Sequence, residues 1–583
     1  MNHYSLLRWL DYPSEERGIR FARPGDEWEF ISYKRLANSA RRQASRLRAA
    51  GVSAGDVVAL LHRNSPEFVA AFFGCLMLGG TPAPLAVPAR FRGGPQFLGN
   101  VERSLRVGQV RAVSATAELA PSIAADVSEY GADLVVCDLA DGAPEYDADP
   151  VPPEIGLLQF SSGSTGPPRG VRVPLTALEA NIETIAWWTA GRAEKDAVAT
   201  WAPLHHDMGL IGCLLAPVSR GVDVWLMEPE HFVRSPLRWL RCFGQSGATV
   251  TAVSAFALGH VIRRVRPDML NGMDFSRWQA LVVGAERIDA STMSEFADLL
   301  NPFGFSRSAL MPAYGLAEAT LAVCGSRRDE QPRIATVAAS SLIPGCRVRM
   351  ASDRMAADRM AADRMGTDRM VTGERDQVTL VGCGRPLPGV TVSILGEDGR
   401  SLPEGYVGEI EVTSPSVARG YAMRASQQEL NGVVRTADAG FLLEGEIFVL
   451  GRIGDSVKLQ GRWVFAEDLG AVAASVAPPA ARCVTLLGSL DGRELAVVLT
   501  EGGLGGRAAD VGLAVANHAA GLRVLVCAAP RGSTLWTTSG KPKRRATWER
   551  LVARQISAEV IWDSQPGALP ACLASSPARE LLF

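Results

Sequence analysis

Net charge is nearly absent from this chain: 60 Lys and Arg against 62 Asp and Glu leave −2 over 583 residues, which removes any general electrostatic case for binding nucleic acid. There is no Cys-x-x-Cys, and the ten cysteines, spread from Cys75 to Cys572, form no Cys/His cluster at zinc spacing. They read as reduced core residues of a cytoplasmic protein. The first residues lack a basic segment followed by an uninterrupted apolar one, so no signal peptide is expected. Long hydrophobic runs are missing too. The most apolar stretch, Phe68 to Val87, is broken by Gly74, Gly79, Gly80, Pro82 and Pro84, which predicts a buried helix followed by a loop, with no stable membrane insertion. What is present is core: 47% hydrophobic and 21% charged residues describe a globular protein. The length predicts a large multi-lobed body and at least one further domain.

Along the chain, strand and helix alternate. Tyr33 to Ala50 places small and apolar residues at helical spacing with arginines opposite, and Gly51 stops the helix. Val57 to Leu61 reads as a buried strand, Pro66 to Leu78 as a helix and Leu134 to Cys137 as a strand. Further strands are expected at Ala248 to Val253 and Ala280 to Val283. This order predicts an α/β protein with parallel sheets. Thr391 to Leu395 and Gly408 to Tyr421 alternate between Gly/Pro turns as a small β-rich lobe. Strands near Val484, Leu495 and Val524, with a helix near Val511 to Ala520, predict a smaller α+β C-terminal domain.

At Ile155 to Phe160 an apolar run stops at a cluster of hydroxyls and glycines, Ser161-Ser162-Gly163-Ser164-Thr165-Gly166. A strand feeding such a loop suits an anion, because glycines let backbone N–H groups turn inward and the hydroxyls add donors. The spacing is neither that of a Walker loop nor that of a dinucleotide turn, and stretches of this composition are more often ordinary surface loops. His205-His206-Asp207 suits a metal site, an acid–base pair or histidines packed at a strand end. Gly284-Ala285-Glu286 marks the carboxyl edge of a sheet, where open α/β sheets bind ligands. In Pro312-Ala313-Tyr314-Gly315-Leu316-Ala317-Glu318, Tyr314 offers a ring to a purine, Gly315 allows close approach and Glu318 supplies a hard oxygen for Mg²⁺. Asp438 and the run from Lys541 to Arg545 read in isolation as a turn and a solvated face.

Taken in order, these motifs resemble those of the adenylate-forming enzymes: acyl-CoA ligases, luciferases and peptide-synthetase adenylation domains. Leu-Gln-Phe-Ser-Ser-Gly-Ser-Thr and Tyr-Gly-Leu-Ala-Glu-Ala-Thr are most similar to the long-chain fatty acyl-AMP ligase branch. The resemblance spans residues 20–550 and implies a domain of two αβ sheets plus the β-rich lobe over 1–453, with a mobile C-terminal lid over 454–583. It implies ATP and Mg²⁺, a medium- or long-chain fatty acid substrate, and an acyl carrier protein as acceptor. Ser161 to Gly166 would hold phosphates, with Thr165 in a catalytic role. Gly284, Ala285, Glu286, Ala313, Tyr314 and Gly315 would hold adenine, Asp438 the ribose hydroxyls, and Arg452 ribose or phosphate. Glu318 would hold the metal, Asp455 would be the hinge, and Lys541 would bridge carboxylate and α-phosphate. His206, in a catalytic role, would sit against the acyl-adenylate as a gate or carboxylate-side contact, and with Met208, Gly209 and Phe256 it would line the acyl pocket, Phe256 on a turn.

Residues 325–380 interrupt the pattern where fatty acyl-AMP ligases resemble one another in carrying an insertion. Four Asp-Arg-Met units, at Asp353, Asp358, Asp363 and Asp368, repeat every five residues, and on a helix of 3.6 residues per turn that period builds no continuous apolar stripe. Departures from the family pattern are Ala437 for a usual glycine, Trp536 for a usual proline, and Gly461-Arg-Trp-Val-Phe-Ala-Glu-Asp468 in the loop that guides the acceptor thiol. The alternatives are an acyl-CoA ligase and a non-catalytic fatty acid or acyl-adenylate binding protein.

Overall fold

Ser32 begins the first long helix, Tyr33–Ala49, by accepting a hydrogen bond from the Arg35 N–H at 3.3 Å, and the helix packs its Leu36, Ala40, Ala44 and Leu47 face into the core. In this computed structural model the described residues are 5–87, 95–139, 145–161, 169–189, 194–351, 377–422, 429–459, 462–478, 480–490, 493–519, 521–536, 541–567, 569–570 and 572–573. Ser162 to Gly166, the Asp-Arg-Met repeats and Gly461 lie outside them.

Two αβ sheets carry the large domain. Thr81–Pro84, Val57–Leu61, Ala112–Thr116 and Asp133–Cys137 pair in that order, all parallel. The second sheet has nine strands, and six of them are parallel: Gly18–Ala22, Asp223–Leu226, Ala197–Thr200, Val250–Ser254, Ala280–Gly284 and Leu310–Gly315. Successive side chains leave opposite faces. Ala280 and Val282 therefore enter the core beside helix Leu175–Thr189, while Leu281 and Val283 enter the aromatic core around Trp239 and Trp278. Ile155–Ser161 pairs with Arg169–Pro174, which pairs with Gly420–Ala422.

The β-rich lobe is the antiparallel sheet of Thr391–Leu395, Gly408–Thr413, Val433–Leu443 and Glu446–Arg452. Strands Ile334–Ala338 and Gln377–Val381, at the two ends of the 325–380 interruption, pair with one another. Beyond Arg452, strands Arg482–Leu490, Arg493–Glu501, Arg523–Ala529 and Glu559–Asp563 form a four-stranded sheet with apolar cores of its own. Helix Ala508–His518 ends two residues before the predicted Ala520, and Pro66–Met77 one before Leu78. Among the described residues no helix is long and apolar enough to cross a membrane.

Trp188, Gly325 and Gly384 stack without room for a side chain between them. A Cβ on Gly325 would lie 2.1 Å from Trp188, and one on Gly384, whose φ is +75°, would lie 1.9 Å from the Gly325 backbone. Backbone cannot step aside, and the left-handed conformation penalises alanine as well. Gly384→Ala is therefore expected to destabilise the protein by about 2–5 kcal/mol, read as a lower midpoint of urea unfolding.

Candidate active site

The carboxyl ends of the parallel strands point one way, and the segments that leave them share one cavity of about 1810 Å³. Thr200 leads to His205 and His206, Ser254 to Phe256, Gly284 to Ala285 and Glu286, and Gly315 to Glu318. All of these residues line the cavity, as do Met208, Gly209, Ala313, Tyr314, Asp438, Arg452, Asp455 and Lys541. Every sequence-predicted site residue that the structure describes with its side chain is thus gathered there. Ser161 closes its strand, and Ser162 to Gly166, expected to hold phosphates, are outside the described residues.

Asp438 and Arg452 face each other across adjacent antiparallel strands. The Asp438 carboxylate takes the Arg452 Nε at 3.1 Å and a hydrogen bond donated by the Tyr314 hydroxyl at 2.7 Å. Burial pushes its pKa above the ordinary aspartate range, against the pull of Arg452 and Tyr314. Ala437, the residue the resemblance expects as glycine, has φ +56°, a left-handed conformation that costs a residue with a Cβ about 1 kcal/mol. It therefore keeps the glycine-type backbone without the glycine.

Glu318 accepts a hydrogen bond from the Tyr421 hydroxyl at 2.8 Å, and the Arg169 guanidinium lies 5.7 Å from the Tyr421 ring. A chain of three residues therefore runs from the carboxylate to strand Arg169–Pro174. Asp207 and Glu286 both have pKa values raised by burial and drawn back by the charge of Lys541. Lys541 donates to the Ala285 carbonyl. Around it, Arg287 pairs with Asp468, and Arg544 reaches Glu467 at 3.3 Å and Asp455 at 3.8 Å. Of these, the Arg287–Asp468 pair and the Lys541 contact join the C-terminal segments to the 285–287 turn on the cavity wall.

The two histidine rings are 4.4 Å apart. Burial holds His205 well below the ordinary histidine pKa, so it is neutral. Its carbonyl accepts from Gln159 Nε2 at 2.8 Å, which ties this loop to strand Ile155–Ser161. Among the described residues no group of three or more His, Cys, Asp or Glu is gathered as a metal ligand set. The segment 255–257, expected as a turn, is the first turn of helix Ala255–Arg264 instead. Ser254 already has the extended backbone of an N-cap. Phe256 is 42% exposed at the rim of the cavity.

Sequence reading did not select Tyr421, Gln159, Arg287 or Asp468. Each acts through a partner far along the chain, and although Gln159 and Asp468 lie inside quoted motifs and Arg287 directly follows one, the motif alone does not name that partner.

The same cavity includes an apolar chamber, of which Ile185, Trp188, Val198 and Leu321 are lining residues. A polar pocket opening into an apolar one suits a nucleotide beside a lipophilic acid, and the comparisons agree. The family model described as AMP-binding enzyme matches residues 11–358 and 365–422. A putative acyl-CoA synthetase of Caulobacter vibrioides is 31% identical over 480 residues, 79% of this chain and 81% of that protein. The medium-chain-fatty-acid–[acyl-carrier-protein] ligase JamA of Moorena producens is 31% identical over 489 residues, 79% of this chain and 77% of its own. A solved chain from work on fatty acyl-adenylate ligases of E. coli and L. pneumophila superposes with a TM-score of 0.80 at 28% identity, covering 94% of this chain and 97% of that one. With the strand edges, the gathered motifs and most of its residues matched, the chain belongs to the AMP-binding enzyme family.

Proposed function

We propose that this enzyme activates a medium- or long-chain fatty acid with ATP to the acyl-adenylate and hands the acyl group to the phosphopantetheine thiol of an acyl carrier protein. The observation that carries the first step is the unbroken cavity from Asp438, Tyr314, Glu318 and Lys541 to the chamber at Trp188. A fatty acid carboxylate oxygen bonds to the α-phosphorus of ATP, the bond from that phosphorus to the bridging oxygen breaks, and pyrophosphate leaves with the electron pair. Such a displacement needs alignment and stabilisation of spreading charge more than covalent help.

In this reading Asp438 accepts the ribose hydroxyls, and Tyr314 and the 284–286 turn flank adenine. Lys541 bridges the acid and the α-phosphate, and Ser161 to Gly166 with Thr165 hold the departing phosphates. Mg²⁺ binds through one or two carboxylates plus phosphates and water. Glu318, its carboxylate fixed by Tyr421 at the cavity wall, fits that donor set and would neutralise phosphate charge there. His206, Met208 and Gly209 border the entrance to the acyl chamber. Residues 454–583 act as a lid hinged at Asp455, with the 325–380 insertion bearing on its motion. Among the described residues no disulfide joins the ten cysteines, in keeping with work in the cytoplasm, although Cys346 is exposed and Cys483 and Cys572 are half-buried where core positions are expected.

The test is incubation with ATP, Mg²⁺ and a ladder of fatty acids, with pyrophosphate measured and the adenylate identified by mass, then CoA offered against a phosphopantetheinylated carrier protein. No fatty-acid-dependent pyrophosphate would sink the activation step. The Caulobacter relative's name favours an acyl-CoA ligase as the second reading, and acyl-CoA as the preferred product would establish it.

Trp188 is 8% exposed and fixed by its Nε1 donating to the Ser326 carbonyl at 2.7 Å. It forms part of the chamber wall, so Trp188→Ala should move the preferred acid toward longer chains in the same ladder. An unchanged profile would place the determinant elsewhere.

A further inference from the structure

Where the cavity meets solvent, two large apolar side chains stand exposed at its rim: Phe256, 42% exposed, and Val233, 43% exposed. They are held as one surface. His260, one turn after Phe256, stacks on its ring at 5.3 Å and 23°, and the His260 Nε2 lies 3.1 Å from the Val233 carbonyl. Helix Ala255–Arg264 ends in Arg263 and Arg264, and helix Pro229–Arg234 ends in Arg234; all three arginines are exposed. Nearby charges are otherwise engaged. Glu228 meets Arg63 at 3.0 Å, Arg266 is held by Asp268, and Arg238 donates to the carbonyls of Arg23 and Glu27. Glu230 contributes a single carboxylate within the short helix.

We propose that this rim docks an acidic face of the acyl carrier protein, whose apolar side chains cover Phe256 and Val233 while its carboxylates meet Arg234, Arg263 and Arg264. The proposal rests on the carrier-protein acceptor above and says where that partner sits. Position supports it, because an arm that must enter the cavity is best presented by a protein seated at the cavity's mouth. Composition supports it as well: an aromatic anchor beside arginines is the residue mixture that dominates binding energy at protein interfaces. A cluster of one charge around an apolar centre steers a partner of opposite charge and fixes its register. Small acids, ATP and free thiols need no such platform.

The experiment uses the full-length enzyme, the double variant Arg263→Glu/Arg264→Glu and the single variant Arg234→Glu. Each is assayed for fatty-acid-dependent pyrophosphate release, for acyl transfer to an acidic stand-alone acyl carrier protein in its phosphopantetheinylated form, and for transfer to free pantetheine. Pyrophosphate release and pantetheine acylation should stay at the wild-type level. The double variant's kcat/KM for the carrier protein should fall about tenfold or more at low ionic strength, and the gap should narrow as salt rises. Unchanged transfer to the carrier protein would overturn the docking surface, and so would an equal loss with pantetheine, which would mean a disturbed cavity. Wild-type enzyme that forms the adenylate yet acylates CoA and no carrier protein would instead defeat the acceptor reading on which the surface rests.

Discussion

Lys541→Ala is expected to lower fatty-acid-dependent pyrophosphate release by about a hundredfold or more, the usual loss when a preorganised electrostatic contact to a developing charge is removed. Fatty acid binding, measured by calorimetry without ATP, should persist, because the apolar chamber lies on other elements. Asp207, Glu286, Asp438 and Asp455 are four carboxyl groups on the cavity wall, each with its pKa raised by burial. A triphosphate and a fatty acid bring still more negative charge. Lys541 is a cation whose field reaches Asp207 and Glu286, and in the proposed role its flexible stem would place an ammonium between two anions. Lys541→Arg should rescue little, since a planar guanidinium is not a compact point charge. Near-normal turnover in the alanine variant would remove Lys541 from the catalytic role proposed for it.

The fold was legible where local pattern and tertiary environment agree. Val57–Leu61 and Ala280–Gly284 are short apolar runs buried within parallel sheets, so composition alone marks them. The candidate site was legible for a related reason: Gly284 to Glu286 and Tyr314 to Glu318 each directly follow such a strand, and strands that run parallel deliver their ends to one edge. Contacts across the lobes leave no local trace in the sequence. Tyr421 reaches Glu318 over 103 residues of sequence, and Gln159 reaches the His205 carbonyl over 46. A tyrosine or glutamine announces no such partner. The Arg287 to Asp468 pair was hidden likewise, because it exists only when the C-terminal segments lie against the 284–288 turn. At Ala255 the difference is local: Ser254 is a cap and not the start of a turn, and Leu258, Val261 and Val265 carry the helical spacing that marks the helix it opens.

Asp438→Ala is expected to cut kcat/KM for ATP by two to four orders of magnitude. Two hydrogen bonds from ribose hydroxyls to an ionised carboxylate are each worth about 1.5–3 kcal/mol, and 1.4 kcal/mol is about a factor of ten. The variant also strips Tyr314 of its acceptor and Arg452 of its ion partner, so the loss should fall on KM for ATP as well as on kcat. Asp438→Asn keeps an oxygen for Tyr314 and should recover part of it. The wild-type pH profile offers a separate check. The acceptor is the ionised form, and burial raises its pKa, so it is lost as pH falls through a value above the ordinary aspartate figure of about 4. The acid limb of kcat/KM for ATP should therefore lie above that figure. Arg452→Ala removes the neighbour that most favours the carboxylate, and should move the limb to higher pH still. An acid limb that ignores Arg452 would assign the titration to another of the buried carboxyl groups, and an alanine variant with wild-type KM for ATP would take the ribose away from Asp438.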